Sequence, residues 1–118
     1  MDVYDTLIKD FKDSKSKPIL ELVANTYYCK GITLRELGEV KESVDIYDVL
    51  IKDFKDSKLE STLELVAKAN INKGVALEEM GESQNAINIY DTFIKEFKDS
   101  KSEPILEQVA NAYYYKGF

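Results

Sequence analysis

A single 43-residue unit recurs along this chain, and that period limits the possible folds more than any other feature. Tyr4-Asp5 returns as Tyr47-Asp48 and Tyr90-Asp91, and Phe11-Lys12-Asp13-Ser14 returns as Phe54-Lys55-Asp56-Ser57 and Phe97-Lys98-Asp99-Ser100. Lys30-Gly31 returns as Lys73-Gly74 and Lys116-Gly117. Residues 4–31 and 90–117 agree at 22 of 28 positions, so the array arose by duplication. A fixed period of this size marks a repeat architecture, in which each unit buries its apolar surface on its neighbours. The chain reads as one repeat domain over 1–118: a partial unit at 1–45, a unit at 46–88 and a partial unit at 89–118.

Within the unit the apolar spacing is helical. Leu20, Val23, Tyr27, Gly31 and Leu34 follow one another at steps of three and four, as do Val44, Tyr47, Leu50, Ile51 and Phe54. Such steps place side chains on one helix face. Strand alternation is missing. Gly38-Glu39 and Gly81-Glu82 separate two helical patterns, and a glycine there can take the left-handed conformation that ends a helix. The second break is the Lys-Asp-Ser-Lys segment. Ser57 with Glu60, and Ser100 with Glu103, have capping-box spacing. Ser16 and Ser102 compete for the cap, because Pro18 and Pro104 suit a first helical turn. The prediction is an all-α chain of about six antiparallel helices, near 2–12, 17–37, 41–55, 59–80, 84–98 and 102–118.

Charge and composition narrow the function. The net charge is −6 with a pI near 4.7, whereas affinity for phosphate backbones or anionic membranes needs a basic face. No nucleic acid and no membrane partner is expected. Tyr27-Tyr28 and Tyr113-Tyr114-Tyr115 resemble base-stacking platforms, but neighbouring helical residues point about 100° apart, so packing explains them better. The chain has no His and a single Cys, Cys29, so His- or Cys-based metal sites within one chain are ruled out. No carboxylate pair stands with a His or in a Gly-rich phosphate loop, and Cys29 has no base to activate it. The expectation is a non-enzyme with no catalytic residue, cofactor or metal, in a reducing cytoplasmic setting. The lysines of the inter-unit segment, interleaved with Asp10 and Asp13, read as a solvated edge.

The spacing of small, aromatic and turn residues resembles the tetratricopeptide repeat. Tyr28 to Ser57 and Ile71 to Ser100 lie on that family's pattern without gaps. Its mid-helix small residue falls on Gly31, Gly74 and Gly117, its large residue on Leu34 and Leu77, and its turn glycine on Gly38 and Gly81. Its second-helix small residue falls on Ser43 and Ala86, and its aromatic on Tyr47 and Tyr90. The first-helix aromatic is Tyr27 and Tyr113, but Asn70 in the middle unit. The departures are a period of 43 against the usual 34, lysine at 30, 73 and 116 where leucine is usual, and lysine at 55 and 98 where proline is usual. The extra residues fall before the first helix of each unit and lengthen it.

The resemblance implies a right-handed helical-hairpin solenoid whose first helices line a concave face that binds a protein or peptide. Carried over to this chain, that groove comprises Asn25, Tyr28, Ile32, Arg35, Lys68, Ile71, Val75, Glu78, Asn111 and Tyr114, with Glu36 and Glu79 beside them. Tyr28, Ile32, Ile71, Val75 and Tyr114 would form an apolar floor, with Arg35, Glu78 and Glu79 as a mixed rim. The competing reading makes these residues inter-repeat core. Chaperone-binding members grip a terminal carboxylate with Lys and Asn. Tyr28, Ile32, Ile71 and Val75 occupy those positions here, so affinity is expected from apolar contact.

The ends suggest a further expectation. The first helix has no partner before it, and the last stops at Phe118, short of a turn glycine. These helices are expected to pack on one another between molecules, head to tail or by exchange, giving a homo-oligomer. The alternative is a monomeric piece of a longer array.

Overall fold

A computed structural model describes residues 2–117. It contains α1 (Asp2–Phe11), α2 (Lys17–Glu36), α3 (Val40–Phe54), α4 (Glu60–Glu79), α5 (Ser83–Phe97) and α6 (Glu103–Lys116), with no strand among the described residues. The predicted helices are all present, each within a residue or two of its expected limits. Phe118, the last residue of the predicted final helix, lies outside the described residues.

The helices alternate between two layers. α2, α4 and α6 lie side by side, α2 against α4 and α4 against α6. α1, α3 and α5 each pack on the long helices adjacent in sequence and not on each other. Among the described residues no helix is long and apolar enough to cross a membrane.

Each hairpin turn is set by one glycine. Gly38 and Gly81 have φ of +85° and +80°, a region that favours glycine. Glu39 N–H donates to Leu34 O at 2.8 Å and Gly38 N–H to Arg35 O at 3.0 Å. Gly81 and Glu82 repeat the pattern on Glu78 and Leu77. This Schellman arrangement satisfies carbonyls that the helix end leaves free.

The structure resolves the competition between caps. Ser16 Oγ accepts from Ile19 N–H at 3.5 Å and Ser102 Oγ from Ile105 N–H at 3.4 Å, with Pro18 and Pro104 in the first turn. The capping boxes expected at Ser57 and Ser100 do not form. Those hydroxyls, like Ser14 Oγ, accept from the N–H two residues on at 3.1 Å and brace the corner. They lie too early in the chain, because the following residues are still extended. α4 has Leu59 at the cap position and no side-chain cap.

The recurrent mid-helix glycines mark where the layers approach most closely. Tyr47 and Tyr90 are fully buried. A Cβ on Gly31 would stand 2.8 Å from Tyr47 Cζ, and one on Gly74 2.5 Å from Tyr90 Cζ. Nothing larger than glycine fits beneath these rings without displacing them. Ser43 Oγ, fully buried, donates to Gly31 O at 2.8 Å. Ala86 takes the equivalent place in the next unit without that bond.

The departures at lysine also have a physical account. Lys30 pairs with Asp5 at 2.5 Å, Lys73 with Asp48, and Lys116 with Asp91 at 2.5 Å. Each long helix is thereby tied to the short helix before it by charge where leucine would serve by packing. Such half-exposed pairs contribute up to about 1 kcal/mol each.

Candidate partner-binding groove

The face formed by α2, α4 and α6 carries the residues that the resemblance assigned to a groove. Ile32 and Arg35 come together with Glu36, Glu79 and the edge of Tyr47 around a cavity of about 380 Å³. Arg35 crosses from α2 to α4, donating Nε–H to Glu79 Oε1 at 3.0 Å and a terminal N–H to the same oxygen. That hydrogen bond to Glu79 raises the Arg35 pKa further and keeps the guanidinium charged. The cavity therefore has an apolar wall, a fixed ion pair at its mouth and a tyrosine behind it.

Tyr28 is half-buried on the same face. Its hydroxyl accepts from Asn72 Nδ2 at 3.3 Å across the α2–α4 seam, and its ring lies 6.4 Å from that of Tyr47. Val75 and Glu78 are partly exposed on α4, and Asn25, Lys68 and Asn111 are exposed. Asn111 Nδ2 donates to Gln108 within α6. Tyr114 is 64% exposed, with its ring edge-on to Tyr115 at 5.5 Å.

Ile71 departs from the expectation. It is 4% exposed and packs in the core with Ala67, Tyr90 and Ala112, so it is no part of an open floor. The reason is positional: α4 has a long helix on both sides, whereas α2 and α6 each have one. The same repeat position is open at Tyr28 and Tyr114 and closed at 71. The competing core reading thus applies to this residue, while Ile32, Arg35, Val75 and Glu78 remain accessible.

Sequence reasoning missed two contributors. Tyr47 reads in the sequence as part of the apolar face of the second helix, and its edge also walls the cavity. Asn72 was passed over although it anchors Tyr28. Its signal was weak, because the same repeat position holds Cys29 and Tyr115.

Burial leaves the repeat tyrosines with unusual electrostatics. The hydroxyls of Tyr47 and Tyr90 have no hydrogen-bond partner among the described residues. Burial pushes the Tyr47 phenol up. Burial and then the nearby Glu78 carboxylate push Tyr90 well above its ordinary value. Arg35 and Glu78 occupy equivalent repeat positions, so the two units place opposite charges beside their buried tyrosines.

A model of the tetratricopeptide repeat family matches residues 26–57 and 69–100, more than half of the chain. The chain belongs to the tetratricopeptide repeat family. Each match runs from the middle of a long helix through the turn glycine and the following short helix, taking in the tyrosine that sits over the mid-helix glycine. No curated protein and no solved structure matched. Repeats of this family generally mediate protein–protein interaction or scaffolding.

Proposed function

We propose that this chain is a non-catalytic interaction module that holds a peptide or partner helix along the face of α2, α4 and α6. The observation that carries this reading is the cavity between Ile32, Arg35 and Glu79, which offers apolar contact beside charges of both signs. Half-buried Tyr28 and Val75 extend the apolar surface on either side. Aromatic anchors of this kind supply most of the binding energy at protein interfaces. The charged rim selects register and partner more than it adds affinity. The absence of histidine and the lone Cys29, suited to a reducing cytoplasmic compartment, fit a binding role better than chemistry.

Capture from a random peptide library by the parent chain, by Tyr28→Ala and by Val75→Asp tests the assignment. Loss of the captured peptides in both variants supports the groove. Unchanged capture in both rejects it.

A second reading is self-association. Val3 and Phe11 on α1 are 77% and 45% exposed, and Tyr113 on α6 is 59% exposed. Their repeat equivalents Ile46, Phe54 and Tyr27 belong to one apolar cluster inside the molecule, where the Tyr27 and Phe54 rings pack edge to face at 6.5 Å. A Phe11 from one copy against Tyr113 of another would reproduce that contact. Light scattering across a wide concentration range decides: a constant mass of 13.5 kDa rejects association.

A further inference from the structure

Two faces of the molecule carry apolar residues whose repeat counterparts are covered inside it. On α1, Val3 and Phe11 flank Leu7 around a hollow of about 400 Å³. Leu50, the counterpart of Leu7 on α3, is fully buried. Leu22 on α2 is 57% exposed, while its counterpart Leu65 on α4 packs against the α2–α3 cluster. On α6, Tyr113 and Tyr114 are exposed, although Tyr27, Tyr28 and Ile71 at the same repeat positions are buried or half-buried.

The interior shows what covers such positions. A long helix, the short helix after it and the next long helix all pack on one another; α2, α3 and α4 do so, and so do α4, α5 and α6. In each set a mid-helix glycine lies beneath the tyrosine of the following short helix, Gly31 under Tyr47 and Gly74 under Tyr90. Gly117 is the third glycine of this series, and a Cβ on it would meet only backbone of its own helix, at 3.4 Å or more. Tyr4 is the remaining tyrosine of the series. It is half-buried, where Tyr47 and Tyr90 are fully buried.

We infer that the outer face of α6 takes the outer face of α1 from a second copy of this chain, head to tail and in one register, with Gly117 beneath Tyr4 and Tyr113 against Phe11. The inference rests on the self-association reading and fixes the polarity and register of that contact. Across the joint, α6 of one copy with α1 and α2 of the next would stand as α2, α3 and α4 stand within a copy. The joint therefore continues an interface that the molecule already makes.

The sequence of each face is the reason to choose a second copy over an unlike protein. Residues 4–11 differ from 47–54 only at Thr6, where α3 has Val49. Residues 103–117 match 17–31 at 11 of 15 positions, including both tyrosines and the glycine. A second copy thus brings the two halves of a fit that α2 and α3 demonstrate. The two faces are different surfaces, so a copy bound through one leaves its other face open. Such a contact repeats and does not close after two copies.

The test uses light scattering on the 118-residue chain and on variants blocked at one face. Val3→Lys with Phe11→Lys blocks α1, and Tyr113→Lys blocks α6. These side chains are exposed, and circular dichroism melts at low concentration establish that each variant is folded. The parent's mass should rise with concentration past that of a dimer. Each blocked variant alone should stay at 13.5 kDa, and an equimolar mixture of the two should reach twice that mass and stop. Gly117→Ala should weaken association about tenfold or more, because a methyl beneath the Tyr4 ring overpacks the joint, while the low-concentration melt is unchanged. A parent mass constant at 13.5 kDa rejects both self-association and this joint. Association of either blocked variant alone, or a mixture that stays monomeric while the parent associates, leaves self-association standing and overturns the head-to-tail joint. Unweakened association of Gly117→Ala overturns the register.

Discussion

Gly31 lies directly beneath the ring of Tyr47, so close that a single methyl on the glycine would enter the ring. Tyr47 is fully buried, so shifting its ring disturbs the residues packed around it. Two effects oppose each other in Gly31→Ala: helix propensity favours alanine by about 1 kcal/mol, and overpacking a rigid core costs about 1–3 kcal/mol. Packing should win, giving a net loss of up to roughly 2 kcal/mol in urea unfolding, with Gly74→Ala behaving alike. A Cβ on Gly117 meets its nearest atom at 3.4 Å, so Gly117→Ala should not destabilise. Combining Gly31→Ala with Tyr47→Leu should recover part of the loss, and strict additivity would disprove the contact.

The two side-chain caps predict an ordered pair of effects. Ser16→Ala and Ser102→Ala should each cost about 0.5–2 kcal/mol. The loss at Ser102 should be larger, because it is 7% exposed and water cannot replace the hydroxyl there. Thermal melts that show no difference between the parent and Ser102→Ala would contradict the cap.

The lysine–aspartate pairs should be weak and sensitive to salt. Asp48 is 47% exposed, so solvent screens its pairing with Lys73. Asp48→Asn should lower stability by less than about 1 kcal/mol in dilute buffer. The difference should shrink in about 1 M sodium chloride. A larger, salt-independent loss would mean that Lys73 is held by something other than charge.

Alkaline pH should unfold the protein through its buried tyrosines. Tyr27, Tyr47 and Tyr90 all have phenols raised above the ordinary value of 10.0 in the folded chain, burial being the largest cause. The folded state therefore holds their protons more tightly than the unfolded state. Their contribution is intact below about pH 10 and is lost as pH rises beyond it, through the folded values. Urea midpoints should hold up to about pH 10 and fall progressively as the pH rises above it. Tyr90→Phe should flatten that fall with little loss at neutral pH, since it removes a hydroxyl that has no partner. An unchanged slope would mean that Tyr90 ionises freely while folded.

The helices, their order and both classes of turn could be read from residue spacing alone. Steps of three and four at Leu20, Val23, Tyr27 and Leu34, and glycines at 38 and 81, are local signals that act within one or two turns of chain. Exposure on the candidate groove face was legible only as far as repeat position determines it. Ile32, Arg35 and Val75 follow that rule, while Ile71 breaks it because burial depends on how many neighbouring helices flank α4.

What the sequence by itself determined is the unit: its helices, its period and its family pattern, all written in short-range spacing and repeated three times. Only the tertiary structure decided which copies differ in use. It paired Lys73 with Asp48, chose Ser16 and Ser102 as caps, closed over Ile71, and parted two corners to leave Tyr27 among aspartates. The ion pair, the burial of Ile71 and the parted corners depend on distances between helices, which depend on how side chains pack across the layers, whereas each cap is settled within its own first turn. Spacing along one helix carries no such information, so identical repeat positions reach different environments.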